Sequence, residues 1–362
     1  MHNKSETHQG SGSIRQDAMP VEAAISARND QPSCVQFPVP APKSASVSTG
    51  IMCGTDFSEA STQALEVAAA LAKRLDEPLT LMHTVSDRSQ ENLPAELRES
   101  LSLYAHAQLH EEEERLRVLK VQTVEILRVG APELVLPEEA VARRARLLVL
   151  AAEKVGFPSR WFHGGVSERI AEAAPVPTLV VRDSAPLLRW MSGERRLRVF
   201  VGADFSAPSE AALLWVDWLR KIGPCDIVVA CLESTPPLYM NHGLFPSLLM
   251  DEMVLKSAHI QERFFRHRIR TLLGASRVRV HFETDWSCSD AHLIQLAVQE
   301  RADLIVTGTH SRHGWHRLGH HSVSRGVLRY APLNVACVPC QAADQAQMTS
   351  SERQSTLQTS TP

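Results

Sequence analysis

The chain repeats its own sequence, and this duplication limits the folds that it can adopt. The stretch TDFSEASTQALEVAAALAKRL begins at Thr55, and the similar stretch ADFSAPSEAALLWVDWLRKIG begins at Ala203, an offset of 203 − 55 = 148 residues. A second pair, GGVSERIAEAAPVPTLVVR and HSVSRGVLRYAPLNVACVP, begins at Gly164 and His321, an offset of 321 − 164 = 157. The second copy therefore carries a small insertion. Self-similarity at such a long period indicates a duplicated domain and not a solenoid.

Each copy alternates short apolar runs with segments of helical periodicity. STGIMCGTDFS predicts a strand that enters a turn, after which Ser58 caps a helix with apolar residues at helical spacing. Further strands are predicted at PLTLMHTV, VQTVEILRVG, RLLVLAA and PTLVVR, and the second copy follows the same order. Such alternation indicates parallel strands covered on both faces. The predicted fold class is α/β: two repeated doubly wound domains, each a mainly parallel five-stranded sheet with helices on both faces.

The ends of the chain differ in composition from the repeats. Residues 1–48 and 341–362 are polar and lack a sustained apolar period, so both are predicted to be disordered tails. Between them we expect a first domain over 49–184, a linker over 185–195 and a second domain over 196–340.

Charge and composition exclude several classes of protein. The formal net charge of −3 argues against a protein whose main function is to bind nucleic acid. No apolar run approaches the roughly 20 residues of a membrane helix, and the N-terminus lacks a signal-peptide core. The seven cysteines are odd in number and scattered, which favours reduced thiols over a disulfide framework. We expect a cytoplasmic protein that binds neither nucleic acid nor a membrane.

Two positions in each repeat are candidate ligand sites. In doubly wound sheets, ligands bind beyond the carboxyl ends of the strands at the switch point. Asp56 and Asp204 follow the first strand of their repeats, and GTHSRHGWHRLGHHSVS follows the fourth strand of the second repeat. This stretch contains five histidines, His310, His313, His316, His320 and His321. It raises the alternatives of a metal site and a phosphate-binding loop.

The phosphate-loop interpretation is favoured over the metal site. The histidine spacing would share one helix face, but glycines interrupt the stretch and a predicted strand directly precedes it. Cysteine and carboxylate co-ligands are absent from the stretch, so no metal is expected there. No nucleophile with an adjacent base is recognisable either, which disfavours an enzyme.

At these motifs the chain resembles a tandem universal stress protein, and the resemblance covers both repeats. TDFSEAS at 55–61 is close to the motif that follows the first strand in this family, and ADFSAPSEAAL at 203–213 is somewhat looser. Nucleotide-binding members carry Gly, two residues, Gly, nine residues, Gly, then Ser or Thr after the fourth strand. Gly308 matches the first position and Ser322 the last, whereas Ser311 and His321 replace the second and third glycines.

The resemblance implies ATP bound in a cleft of each unit. The strand-one Asp would face the adenosine, a residue after strand two would lie near the adenine, and the glycine-rich loop would surround the phosphates. In the second repeat the implied site is Asp204, Leu232, Gly308, Ser311, Arg312, Gly314, His321, Ser322 and Val323. In the first repeat it is Asp56, Thr84, Lys154, Gly164 and Gly165.

Glycines in such a loop let phosphate oxygens approach backbone N–H groups closely. In the second repeat Ser311 and His321 replace two of these glycines, so this repeat is expected to bind an adenine nucleotide weakly. The first repeat, with Ala151 and Lys154 at the first two glycine positions, is expected to keep the fold and to lack the ligand, with retained binding as the alternative.

These observations predict a stress-response binding or sensing protein whose two repeats pack as an intramolecular pseudo-dimer. Its protein partners are unidentified, and a further homodimer stays open. The alternatives are a slow nucleotide hydrolase, a structural stress protein without a ligand, and a His-dependent metal binder.

Overall fold

A computed structural model describes residues 50–86, 93–152, 165–204, 206–233, 248–284, 290–309 and 323–340. The two predicted tails, 1–48 and 341–362, lie outside the described residues.

The first repeat alternates strands and helices as its sequence predicts. Its elements are β1 (Ile51–Gly54), α1 (Glu59–Leu75), β2 (Leu79–Val85), α2 (Ala95–Val118), β3 (Thr123–Val129), α3 (Pro132–Ala142), β4 (Leu147–Ala151), α4 (Val166–Ala173) and β5 (Thr178–Val181).

The second repeat has the same order after one intervening helix. The segment predicted as a linker contains α5 (Ala185–Met191), whose Leu187 and Trp190 are buried. The following elements are β6 (Leu197–Gly202), α6 (Ala207–Ile222), β7 (Cys225–Glu233), α7 (Leu248–Leu273), β8 (Val278–Thr284), α8 (Asp290–Gln299), β9 (Leu304–Thr309), α9 (Val323–Tyr330) and β10 (Asn334–Pro339).

All strands join one ten-stranded sheet in the order β3-β2-β1-β4-β5-β10-β9-β6-β7-β8. Pairing is parallel within each repeat and antiparallel where β5 meets β10. Leu179 and Ala336 stand opposite each other at this junction, and 336 − 179 = 157 is the offset between equivalent residues. The repeats are thus related by a pseudo-two-fold axis through this pair. The predicted doubly wound fold is confirmed, and the repeats form an intramolecular pseudo-dimer.

The core lies on both faces of the sheet, as parallel strands require. Among the described residues, four cysteines contribute buried free thiols, Cys53, Cys225, Cys231 and Cys337. Burial raises the pKa of Cys53, Cys225 and Cys337 to about 12, so these thiols stay protonated near neutral pH. Within the described ranges, no helix is long and apolar enough to cross a membrane.

Candidate functional site

The strand register brings the predicted site residues of the second repeat to one level. β6 pairs with β9, with Val201 opposite Val306, and with β7, with Gly202 opposite Ala230. Continued by two or three residues, this register aligns Asp204 with Leu232 and Thr309 at the carboxyl ends of the strands. The same register in β1, β2 and β4 aligns the first-repeat counterparts Asp56, Thr84 and Ala152. Both groups stand at a topological switch point, where doubly wound sheets bind ligands.

Both aspartates organise the turn that enters the following helix. The Ser58 N–H donates to Asp56 Oδ1 over 3.0 Å, and the Ser206 N–H donates to Asp204 Oδ1 over 3.1 Å. Partial burial opposes ionisation of Asp56, but hydrogen bonds from Ser58 and Ser61 outweigh it and lower the pKa of this carboxyl. One carboxylate oxygen of each aspartate therefore has a structural role, independent of any ligand.

Aromatic side chains stack beside the first cleft. The rings of Phe57 and His83 lie 4.4 Å apart between centroids, and His83 Nδ1 donates to the carbonyl oxygen of Thr55 over 2.8 Å. Phe57 has a φ of 63°, a left-handed conformation that non-glycine residues adopt at a cost. This strained turn holds the phenyl ring against the imidazole at the end of β2.

The second cleft is lined differently at the matching positions. Cys231 stands where the first repeat has His83, since 231 − 83 = 148, and its side chain is buried. Phe205, the counterpart of Phe57, lies outside the described residues. Thr309 replaces Ala152, since 309 − 152 = 157; its hydroxyl is buried and finds no hydrogen-bond partner within the described parts of the chain. Among the described residues, the end of β9 thus carries an unsatisfied donor and acceptor.

Gly308 is required by packing, independently of its predicted role near phosphates. A Cβ at this position would lie 2.2 Å from the carbonyl oxygen of Pro208, in the first turn of α6. Backbone atoms at that distance cannot move aside cheaply, so only glycine lets α6 pack on β9.

The first turns of the last helices carry opposite charges. In α4, the Glu168 carboxylate accepts the N–H of Gly165, the residue before the helix, over 3.1 Å. The equivalent residue in α9 is Arg325, since 168 + 157 = 325, and the first turn of α9 contains no acidic residue. Arg325 also bonds Glu172 across the repeat boundary, with Nε 2.9 Å from Oε2. A helix N-terminus favours anions, so the two ends differ in what they can accept.

The structure brings together only part of the predicted site. In the second repeat, Asp204, the backbone of Leu232 and Gly308 lie at the strand ends, and α9 begins at Val323. In the first repeat, Asp56 and Thr84 lie at the strand ends and Gly165 at the start of α4. The remaining predicted residues lie outside the described part of the chain, namely Ser311, Arg312, Gly314, His321, Ser322, Lys154 and Gly164.

Sequence reasoning missed three residues at these clefts, Thr309, Glu168 and Arg325. Aligning the repeats at the offset of 157 would have revealed the exchange of Glu168 for Arg325. The burial of Thr309 gave no comparable signal, because it depends on how β9 packs.

Comparison with known proteins agrees with this architecture. The model of the universal stress protein family matches residues 49–182 and 196–339. A universal stress protein from Archaeoglobus fulgidus DSM 4304 superposes with a TM-score of 0.57 at 16% identity, over 81% of this chain and 97% of that one. A protein of unknown function from Pseudomonas aeruginosa PAO1 superposes with a TM-score of 0.53 at 13% identity, over 84% of this chain and 98% of that one. At these identities the solved structures support the fold alone.

No curated protein sequence matches the chain. The two family-model matches nevertheless cover most of it, one in each repeat. The chain therefore belongs to the universal stress protein family and carries two copies of the family's domain in tandem.

Proposed function

We propose that this stress-response protein binds one adenine nucleotide per chain, in the second repeat, with the phosphates at the start of α9. The observation that carries the proposal is the charge difference between the last helices. Glu168 stands in the first turn of α4, whereas Arg325 stands at the same position in α9.

A phosphate at a helix N-terminus is stabilised by backbone N–H groups and by the helix dipole. In the first repeat an internal carboxylate already accepts one such N–H, at Gly165, and would repel a phosphate. In the second repeat the guanidinium of Arg325 adds positive charge near the helix start, although Glu172 offsets part of it. An anion is thus favoured at α9 and disfavoured at α4.

The two clefts also differ on the side that would hold the base and the ribose, and this difference supports binding in the second repeat. Phe57 and His83 stack at the strand ends of the first repeat, whereas Cys231 leaves the matching position of the second repeat without an imidazole. Asp204 is exposed, and its Oδ2 has no hydrogen-bond partner within the described residues. That oxygen is available to a ribose hydroxyl or an adenine amino group. The orphaned Thr309 hydroxyl offers a further hydrogen bond to a ligand.

Calorimetry with ATP and the full chain tests the proposal. We expect one site per chain, and Asp204→Ala should weaken binding more than Asp56→Ala, because only the second cleft is used. Two equivalent sites, or a stronger effect at Asp56, would show that the repeats were assigned wrongly.

A matched pair of variants tests the role of Arg325. Arg325→Gln should weaken ATP binding about fivefold at low salt, on the order of 1 kcal/mol for a charge near a helix terminus. The effect should shrink as salt is raised, since the contact is solvent-exposed. Arg329→Gln removes the same charge from the other end of the same helix and serves as the control. Equal effects of the two substitutions would contradict a local role for Arg325.

A further inference from the structure

A histidine and three glutamates meet where α2 crosses β3, far along the chain from the nucleotide motifs. His110, Glu113 and Glu114 come from consecutive turns of α2, and Glu125 comes from β3. His110 Nδ1 lies 3.6 Å from Glu113 Oε2 and 3.3 Å from Glu125 Oε1. One ligand atom each from His110, Glu113 and Glu114 can be chosen so that all lie within 4.8 Å of one another. The ring nitrogen and the carboxylate oxygens of the two α2 glutamates therefore lie close together, with Glu125 beside the imidazole.

The acidic pair at the centre of this cluster is Glu113 and Glu125, which both lie beside His110. Arg115 pairs with Glu112, and Arg117 pairs with Glu114. Within the described residues, neither Glu113 nor Glu125 pairs with a lysine or arginine. Partial burial and the adjacent Glu113 raise the pKa of Glu125, against the opposing effect of His110. Two carboxylates held this close are mutually repulsive unless a cation or a proton lies between them.

The spacing of the donor atoms is compatible with a metal ion between them, although His110 and Glu125 also form a long hydrogen bond. Good N–H···O bonds span about 2.7–3.2 Å, so separations of 3.3 and 3.6 Å are long for one. A tetrahedral zinc site has bonds of about 2.0–2.2 Å, which separates neighbouring donor atoms by about 3.3–3.6 Å. The observed distances fall in this range before any side chain has moved.

We propose that His110, Glu113 and Glu125 bind a zinc ion on the outer surface of the first repeat, with Glu114 or water as the fourth ligand. His110 and Glu113 are three residues apart on α2 and so share one helix face, while β3 supplies the third ligand. Imidazole with carboxylate is a donor set for zinc and related transition metals, whereas Mg²⁺ and Ca²⁺ prefer oxygen ligands alone. This site is independent of the proposed nucleotide site.

Zinc would fasten α2 to β3, an edge strand of the ten-stranded sheet. Metal that binds only the folded chain stabilises it in proportion to the logarithm of the free metal concentration. The ion would also cancel the repulsion between Glu113 and Glu125. We therefore expect zinc to raise the melting temperature.

Zinc titration of the full-length, metal-free protein tests the site. Because other histidines of the chain can also take up added zinc, the measured quantity is the difference between variants. We expect His110→Ala to lose one zinc equivalent, or to weaken that site at least about tenfold. His259→Ala, which removes an exposed histidine from α7, the matching helix of the second repeat, should leave the stoichiometry unchanged.

Glu125→Gln provides a second test, because its expected effect on the melting temperature depends on whether zinc is present. Without metal this substitution removes a like-charge contact and should raise the melting temperature. With zinc present it removes a ligand and should abolish the zinc-dependent rise. Unchanged zinc binding in both His110→Ala and Glu125→Gln would overturn the proposal. So would an equal rise in melting temperature with Mg²⁺, which would mark an unselective acidic surface.

Discussion

One buried asparagine joins the two repeats through all of its hydrogen-bonding groups. Asn334 Nδ2 donates to the carbonyl oxygens of Asp183 and Asp303 over 2.9 and 3.0 Å. Its Oδ1 accepts the N–H groups of Arg182 and Asp183 over 2.8 and 3.0 Å. The equivalent residue of the first repeat is Pro177, since 334 − 157 = 177, so this contact breaks the pseudo-symmetry. Its importance could not be predicted from the sequence, because its partners come from segments that only the fold assembles.

Asn334→Ala should destabilise the protein by about 3 kcal/mol, because it leaves buried N–H and C=O groups without partners. Urea unfolding of the full chain measures this loss. Gln122→Ala removes an exposed amide side chain and should change the free energy of unfolding by less than about 0.5 kcal/mol. A loss below about 1 kcal/mol for Asn334→Ala would mean that water replaces the missing amide.

Among the secondary-structure elements, those with long local patterns were predictable and those fixed by packing were not. The strands and long helices followed from apolar periodicity, and Asp56 and Asp204 followed from the motif at the end of their strands. α3 continues through Pro137, a position that weakens a helix, because Leu136 and Ala140 are buried on one side of it. α5 is too short for a periodic signal. The proposed zinc ligands belong to α2 and β3, which meet only in the folded chain, so the sequence alone did not predict this metal site.

The contact between β9 and α6 separates two explanations for the glycine at position 308, which are close packing and phosphate binding. Gly308→Ala should destabilise the protein by about 3 kcal/mol even without a ligand, because the new Cβ would meet the backbone of Pro208. Gly193→Ala should cost only about 1 kcal/mol, since Gly193 has a φ of +83° and nothing within 4 Å of an added Cβ. Thermal unfolding without nucleotide measures both. If Gly308→Ala weakened ATP binding and left stability intact, the glycine would serve the phosphates alone.

At the scale of the whole molecule, the two repeats of one chain form an interface that two separate subunits could also form. β5 and β10 pair antiparallel about the pseudo-two-fold axis, and each would be an exposed edge if its repeat stood alone. The duplication was readable in the sequence from its two offsets. The β5–β10 pairing was not, because strand order at the junction depends on which edges remain uncovered. Arg325 and Glu172 add an ion pair across the same boundary.

Separating the repeats should therefore convert the internal interface into a dimer interface. We expect a fragment of residues 192–340 to dimerise through β10, with Ala336 opposite Ala336 of the partner subunit in place of Leu179. Light scattering gives the mass of the fragment. Directly opposed residues in antiparallel strands have Cα atoms about 4.5–5.5 Å apart, within the range that a disulfide spans, so Ala336→Cys should form an interchain disulfide on oxidation. The unsubstituted fragment, whose Cys337 is one residue away, is the control for other crosslinks. A monomeric fragment, or a dimer that Ala336→Cys fails to crosslink, would show that the junction depends on contacts such as those of Asn334 and not on the strand edges.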